Sequence, residues 1–204
     1  MSFLAKIEKP AKLNLAHGNK TFFQYTNNYS LSTNINEIVD KLFLSDYSAA
    51  QDCILLNNLH ISCIINCDFR KCPSQFEGTF RYLNLAIDDD PQFILLPSIL
   101  RAIKFISDCI KHSYSVLVHC QGGFSRAPTL ICAYLMWSLN LNANEALNLL
   151  KIKAYKAEPN IGFLSQLEKW NEILKSHKQE IQNSLYNSST SEETIVDICI
   201  KKTV

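Results

Sequence analysis

The amino-acid sequence predicts an α/β protein with a mostly parallel, twisted central sheet flanked by helices. Short apolar runs of strand length alternate with longer helical stretches from Lys41 onwards. Helices that connect successive strands favour parallel pairing and cover both faces of a sheet. The chain has 204 residues, of which 47% are hydrophobic and 19% charged, so it is long enough for one domain with a buried core and terminal extensions.

The individual strands and helices are predicted from the spacing of apolar residues. Compact or alternating apolar runs predict strands at Lys41–Leu44, Ile61–Cys67, Tyr82–Ile87 and Ser115–His119. Apolar residues three and four positions apart predict helices at Ser48–Asn57, Pro97–His112, Thr129–Asn140, Asn144–Ala154 and Gly162–Ser176. The last third of the domain is therefore expected to consist of packed helices.

Three regions are predicted along the chain. Residues 1–35 are polar and mixed and form an N-terminal extension, in which Thr21–Thr26 is a candidate edge strand. Residues 36–178 form the folded domain. Residues 179–204 lose the amphipathic period and are predicted to be a flexible C-terminal tail, with a regulatory or docking segment as the alternative.

The charge balance and the N-terminus argue against several classes of protein. A net charge of +1 gives no reason to expect nucleic acid or an acidic membrane surface as a partner. The N-terminus lacks an uninterrupted apolar segment and a glycine at position 2, which predicts neither a secretory signal nor N-myristoylation. No apolar run is long enough to span a membrane. A cytosolic or nuclear location is therefore expected, in which the eight cysteines are mostly reduced thiols.

The stretch VLVHCQGGFSRAP, residues 116–128, places a cysteine between a buried strand and a helix. Pro128 fits the first turn of that helix, where a missing N–H costs no hydrogen bond. Unpaired backbone N–H groups and the helix dipole make such a junction a binding site for an anion, and Gly122 and Gly123 allow the amides to bend around it. A tetrahedral phosphate is the expected ligand.

Cys120 and Arg126 add chemistry to this anion site. The positive field of the loop favours the thiolate form of Cys120, which makes it a nucleophile. The planar guanidinium of Arg126 can bind two phosphoryl oxygens at once. The alternative, an inert core thiol followed by a surface arginine, leaves the two glycines between them without a packing reason.

The run HCQGGFSR resembles the His-Cys-x-x-Gly-x-x-Arg signature of cysteine-dependent protein phosphatases and is most similar to the dual-specificity branch. The resemblance spans about residues 36–176 and includes the runs AYLM at 133–136 and PNIGFLSQL at 159–167. It implies a protein tyrosine phosphatase-like fold, with Cys120 as the nucleophile and His119 and Asn160 as residues that support the loop. The implied phosphate-binding residues are Gln121, Gly122, Gly123, Phe124, Ser125 and Arg126.

Three aspartates, Asp88, Asp89 and Asp90, follow the Tyr82–Ile87 run and are candidates for the general acid. A leaving alkoxide or phenolate needs a proton when its P–O bond breaks, and a carboxylic acid on a neighbouring loop can donate it. The resemblance implies that Asp89 is this acid. A low-molecular-weight phosphatase carries its acid downstream of the cysteine, whereas the candidates here precede it. A sulfurtransferase is a further alternative for the loop.

The resemblance implies a protein phosphatase, similar to the small atypical members, that hydrolyses phosphotyrosine and phosphoserine or phosphothreonine through a cysteinyl-phosphate. No cofactor is expected, and no metal, because Cys63, Cys67 and Cys72 lack the paired spacing of a zinc site. The loop contains no lysine, which disfavours phosphoinositides. Basic residues do not gather beside it, which weakens the alternative substrate, an RNA 5′-triphosphate. A phosphorylated protein is the expected partner.

Ala127 departs from the family, because most members carry serine or threonine after the arginine. That hydroxyl resembles a hydrogen-bond donor to the cysteine sulfur, which helps the sulfur to leave in the second step. Its absence predicts slow breakdown of the phosphoenzyme. The alternative is a phosphate-binding pseudophosphatase with very slow turnover.

Overall fold

A computed structural model describes residues 34–186, and within them a five-stranded sheet has the order β1-β2-β5-β3-β4. The strands are β1 (Ile35–Val39), β2 (Leu42–Ser45), β3 (Ile61–Asn66), β4 (Arg81–Asn84) and β5 (Ser115–His119). β1 pairs antiparallel with β2, and the other three pairings are parallel. The predicted α/β fold with a mostly parallel sheet is confirmed. β5 lies at the centre, so the segment that follows it emerges between the ends of β2 and β3.

Helices cover both faces of this sheet. They are α1 (Tyr47–Ala50), α2 (Cys53–Asn58), α3 (Leu96–Lys111), α4 (Arg126–Leu139), α5 (Ala143–Lys153) and α6 (Ile161–Tyr186). Successive side chains of a strand point to opposite faces. Val116 and Val118 of β5 therefore pack in the larger core with α3 to α6, whereas Leu117 packs with Leu56 of α2 on the other face.

The helix α4 forms the centre of the larger core. Every residue from Arg126 to Trp137 is buried. A helix that is apolar on nearly all sides is typical of the interior of a protein, where neighbouring helices surround it. The loop that precedes α4 is therefore attached to a rigid part of the molecule.

The structure differs from the sequence prediction near the N-terminus of the domain. The predicted helix Ser48–Asn57 is two short helices, because Asp52 accepts a hydrogen bond from the N–H of Leu55 (2.9 Å) and thereby begins a new helix at Cys53. The edge strand β1 was not predicted, since polar residues interrupt its apolar pattern.

The last helix extends beyond its predicted end at Ser176. α6 continues to Tyr186, and its residues Ile181 and Leu185 are buried in the larger core. The polar residues between Ser176 and Ile181 conceal this apolar face in the sequence. The first part of the predicted flexible tail is therefore helical, whereas residues 187–204 lie outside the described part.

Residues 1–33, with the candidate strand Thr21–Thr26, also lie outside the described part of the chain. Among the residues that are described, no helix is both long and apolar enough to cross a membrane.

Candidate active site

The loop of residues 120–125 joins the central strand to the buried helix α4. β5 ends at His119, and α4 begins at Arg126. The N–H of Cys67, after β3, donates to the carbonyl of His119 (2.9 Å), and the N–H of Tyr47, after β2, donates to the carbonyl of Gln121 (3.0 Å). The start of the loop is thus held from both neighbouring strands, as predicted for a strand-to-helix junction.

Cys120 is almost completely buried within this loop, with 2% of its surface exposed. Its sulfur accepts a hydrogen bond from the backbone N–H of Gly123 at 3.3 Å. Gly123 has a φ of +72°, and a Cβ built there would lie 3.0 Å from the Ser45 carbonyl oxygen and from the Asp46 nitrogen. Glycine is therefore needed to direct this N–H toward the sulfur.

Arg126 is buried with two carboxylates near its guanidinium. Nη1 donates to Oδ2 of Asp68 (2.5 Å) and to the carbonyl oxygen of Ile87 (3.4 Å), and Nε lies 3.6 Å from Oδ2 of Asp89. Burial alone would lower the pKa of Arg126. The hydrogen bond to Asp68, with the charges of Cys120, Asp68 and Asp89, raises this pKa above its ordinary value. The arginine is therefore a permanent cation beside the thiol.

The structure distinguishes among the three candidate aspartates. Oδ1 of Asp89 accepts hydrogen bonds from the Ser125 hydroxyl (2.6 Å) and from Nδ2 of Asn160 (2.9 Å), which places Asp89 against the loop. Asp88 points to Arg70, 3.7 Å away, and Asp90 accepts a hydrogen bond from the N–H of Gln92. Asp89 is the aspartate of the three that meets the cysteine loop.

Asn160 connects three parts of the site: the segment of residues 88–95 that carries the aspartates (the acid loop), the loop of residues 120–125 (the cysteine loop), and the start of α6. Besides its bond to Asp89, its backbone N–H donates to Ser125 Oγ (3.3 Å), and its Oδ1 accepts from the N–H of Phe163 (2.9 Å). The side chain therefore caps α6 and holds the carboxylate at the same time. Asn160, which the sequence predicts to support the loop, therefore lies between Asp89 and Ser125.

Gln166 of α6 holds the segment that follows the aspartates. Its Oε1 accepts from the N–H of Leu95 (2.8 Å), and its Nε2 donates to the carbonyl of Phe93 (2.8 Å). A Cβ on Gly162 would lie 1.9 Å from the carbonyl oxygen of Pro91, so the helix and this loop are in close backbone contact. The acid loop is therefore fixed along its length by α6.

His119 is buried next to Cys120, and its ring packs on a neighbouring aromatic side chain. Within residues 34–186 its Nδ1 has no hydrogen-bond partner, and the ring stacks on Tyr47 with centroids 6.0 Å apart. Burial lowers the pKa of His119 to about 4, against smaller opposite effects of the Cys120 backbone and Asp46. The imidazole is therefore neutral near pH 7, and it packs on Tyr47 beside the start of the loop.

Phe124 covers the outer side of the loop. Its ring lies over Gly122, since a Cβ on that glycine would be 2.3 Å from Cε1 of the phenylalanine. The ring remains 49% exposed, and the Phe124 carbonyl accepts from the N–H of Glu158. An aromatic surface thus lies at the rim of the site.

The comparison with known families agrees with this geometry. A model of the dual specificity phosphatase catalytic domain matches residues 42–173, which is more than half of the chain. The chain belongs to the dual-specificity phosphatase family. Human dual specificity protein phosphatase 2 is 37% identical over 132 residues, covering 64% of this chain and 41% of that protein. The chain therefore spans less than half the length of this relative.

Other similar proteins match over more of their length. Serine/threonine/tyrosine-interacting protein B of Xenopus laevis is 31% identical over 153 residues, which are 71% of this chain and 68% of that protein. The crystal structure of the human tyrosine phosphatase-like serine/threonine/tyrosine-interacting protein superposes with a TM-score of 0.66 at 28% identity, covering 70% of this chain and 98% of that one. A mouse putative dual specificity phosphatase, complexed with zinc tungstate, gives 0.70 at 26% identity, covering 77% and 97%.

Asp68 is a site residue of this dual-specificity phosphatase domain that the sequence analysis missed. It lies outside the signature and 58 residues before Arg126, yet the two side chains form a buried ion pair. One signal was present in the sequence. Asp68 follows the predicted strand Ile61–Cys67 by one residue, and the carboxyl ends of parallel strands meet at the same edge of a sheet.

Proposed function

We propose that this chain is a protein phosphatase that hydrolyses phosphotyrosine and phosphoserine or phosphothreonine through a cysteinyl-phosphate. The observation that carries the proposal is the convergence of three groups: the Cys120 sulfur in its loop, the Arg126 guanidinium, and the Asp89 carboxyl 3.6 Å from that guanidinium. A nucleophile, a cation and a proton donor are the groups that phosphoryl transfer without a metal requires.

The first chemical step is attack by the Cys120 thiolate on phosphorus. A sulfur–phosphorus bond forms and the bond from phosphorus to the substrate oxygen breaks, while the protonated carboxyl of Asp89 gives its proton to that oxygen. Arg126 and the backbone amides of the loop other than that of Gly123, which donates to the sulfur, bind the equatorial phosphoryl oxygens, where negative charge is concentrated. The released product is the dephosphorylated alcohol or phenol.

The second step hydrolyses the cysteinyl-phosphate. The Asp89 carboxylate accepts a proton from water as the water oxygen attacks phosphorus, and the sulfur–phosphorus bond breaks to return the thiolate and inorganic phosphate. Stabilisation of the departing sulfur controls the rate of this step. The Gly123 N–H supplies one hydrogen bond to that sulfur, and Ala127 supplies none.

Phosphorylated proteins are the proposed substrate class. The relatives named as protein phosphatases support it, and the loop QGGFS lacks the lysines that would suit a highly charged inositol headgroup. A cytosolic or nuclear location would give access to such substrates. We further propose that the protein has no nucleic-acid, membrane or metal partner.

A second candidate function is a phosphate-binding module that captures phosphorylated proteins and scarcely turns over. Two observations favour it: Ala127 in place of a hydroxyl residue, and the similarity to relatives whose names describe an interacting protein. The presence of Cys120, Arg126 and Asp89 together favours the enzyme.

Turnover of phosphopeptides separates these two functions. The wild type, Cys120→Ser and Asp89→Asn proteins would be incubated with matched peptides that carry phosphotyrosine, phosphothreonine or phosphoserine, and released phosphate would be measured. We expect the wild type to release phosphate from all three and Cys120→Ser from none. Tight peptide binding by the wild type without phosphate release would favour the binding module instead.

A further inference from the structure

Asp68 is held rigidly by its own backbone. Its N–H donates to Oδ1 of Asn66 (3.0 Å), and its carbonyl accepts from the N–H groups of Lys71 (3.0 Å) and Cys72 (2.8 Å). The side chain is almost completely buried, with 3% exposed. A buried carboxylate in a fixed turn has few alternative positions, so it can define the position of whatever it binds.

The turn that carries Asp68 connects the two halves of the active site. Its neighbour Cys67 donates its N–H to the carbonyl of His119 (2.9 Å), directly before the cysteine loop. The carbonyl of Cys67 accepts from the N–H of Ile87 (3.1 Å), directly before the aspartates. The carboxylate of Asp68 is thus fixed relative to both the nucleophile and the general acid.

The hydrogen bonds of Arg126 are unevenly distributed over its guanidinium. Nη1 binds Asp68 at 2.5 Å and Ile87 at 3.4 Å, whereas Nε is buried without a hydrogen-bond partner in the described part of the chain. Oδ2 of Asp89 lies 3.6 Å from Nε, and this distance is too long for a hydrogen bond. A buried donor without a partner is costly, unless a ligand accepts from it.

We propose that Asp68 is the positioning residue for Arg126: by holding Nη1, it orients the guanidinium so that Nε is presented to a phosphoryl oxygen. This inference rests on the proposed phosphate chemistry of the loop, and it assigns to Asp68 no contact with the substrate. The orientation is set before the substrate arrives, because both side chains are already buried and paired.

Charge and orientation predict opposite effects of removing Asp68. A negative charge near a phosphate site repels the phosphate, so its loss would by itself strengthen phosphate binding. Loss of the acceptor for Nη1 frees the guanidinium to rotate, which weakens an interaction that depends on aligned donors. A misplacement of about 1 Å costs on the order of a hundredfold in rate. Orientation therefore dominates, and the sign of the measured change distinguishes the two effects.

The test compares two substitutions of Asp68 with a matched control. Asp68→Asn keeps the shape and one acceptor, Asp68→Leu keeps the approximate shape only, and Asp88→Asn removes the exposed carboxylate that pairs with Arg70. Each is made in the wild type and with Arg126→Lys. The full-length proteins are assayed for aryl phosphate turnover, for inorganic phosphate binding by calorimetry, and for thermal unfolding.

We expect Asp68→Asn to lower kcat/KM about tenfold and Asp68→Leu about a hundredfold, with weaker phosphate binding in both. With Arg126→Lys these effects shrink to less than about threefold, because lysine has no planar group to orient. If the substitutions acted through a general loss of packing, the decrease in kcat/KM would be equally large in the Arg126→Lys background. If Asp68→Leu does not fold, the kcat/KM and the phosphate affinity of Asp68→Asn test the inference on their own.

Two results would overturn the inference. The first is that Asp68→Asn, like the control Asp88→Asn, binds phosphate as tightly as the wild type or more tightly. The second is that the Asp68 substitutions lower kcat/KM by the same factor with and without Arg126→Lys. Failure of the proposed function gives a different pattern: no turnover by any protein, wild type included. In that case the affinity for inorganic phosphate still tests the role of Asp68. A tenfold loss of phosphate affinity in Asp68→Asn supports that role, and an unchanged affinity refutes it.

Discussion

Replacing Ala127 by serine adds a hydroxyl at the second residue of α4, directly after Arg126. The position is completely buried, and the Cys120 sulfur accepts one described hydrogen bond, from the Gly123 N–H at 3.3 Å. A second donor would stabilise the departing thiolate. Because a hydrogen bond to a charged group contributes about 1.5–3 kcal/mol, hydrolysis of the phosphoenzyme should accelerate about ten- to a hundredfold.

Stopped-flow measurement of an aryl phosphate separates the two steps. In the wild type, a burst of phenolate equal to the enzyme concentration precedes slow turnover, since the second step limits the rate. In Ala127→Ser the burst shrinks and the steady rate rises. Ala127→Thr and Ala127→Val form a matched pair of similar shape, and only the first should accelerate turnover. Linear, burst-free kinetics in the wild type would refute the argument, and so would equal rates in the matched pair.

Three further predictions concern the acid, the histidine and the glycine. Asp89→Asn should lower kcat/KM, which reports formation of the phosphoenzyme, about 10²- to 10⁴-fold for a phosphoserine peptide and less for an aryl phosphate with a good leaving group, while Asp88→Asn leaves both values unchanged; equal losses in kcat/KM on the two substrates would contradict a proton donor. His119, whose folded pKa is lowered from 6.5 to about 4, keeps its full contribution to stability above pH 6.5 and loses it as the pH falls toward 4. Urea unfolding of the wild type should therefore lose about 2 kcal/mol more than His119→Gln between pH 7.5 and pH 5, and parallel losses would contradict the buried neutral imidazole. Gly123→Ala forces a Cβ to within 3.0 Å of backbone atoms and should lower kcat/KM more than about tenfold, whereas Gly78→Ala, with no atom within 4 Å, should be neutral; full activity in Gly123→Ala would show that the loop tolerates a side chain.

The nucleophile loop could be predicted from the sequence because its parts are contiguous. Cys120, the two glycines and Arg126 lie within seven positions between a strand and a helix, and local backbone geometry alone brings them together. Asp89 is more distant in the chain. Its assignment came from the family resemblance, and the structure then placed it against Ser125 and Asn160 while directing its neighbours elsewhere.

Asp68 and Gln166 could not be assigned in the same way. Both act through contacts that depend on the order of strands in the sheet and on the packing of α6. A single sequence does not reveal which strands are neighbours. The helix end at Tyr186 was missed for a related reason. Ile181 and Leu185 extend the apolar face of α6, but only the packing of the helix against the larger core shows that they are buried.

Cys120 is the residue that we propose carries the phosphoryl group during turnover. Wild-type protein mixed with an aryl phosphate, quenched in acid within milliseconds and digested, would be examined by mass spectrometry for a phosphorylated peptide. We predict one phosphoryl group on the cysteine of the peptide that contains residues 120–126, more of it in the wild type than in Ala127→Ser, and none in Cys120→Ser. Turnover without this adduct, or an adduct on another residue, would contradict the account.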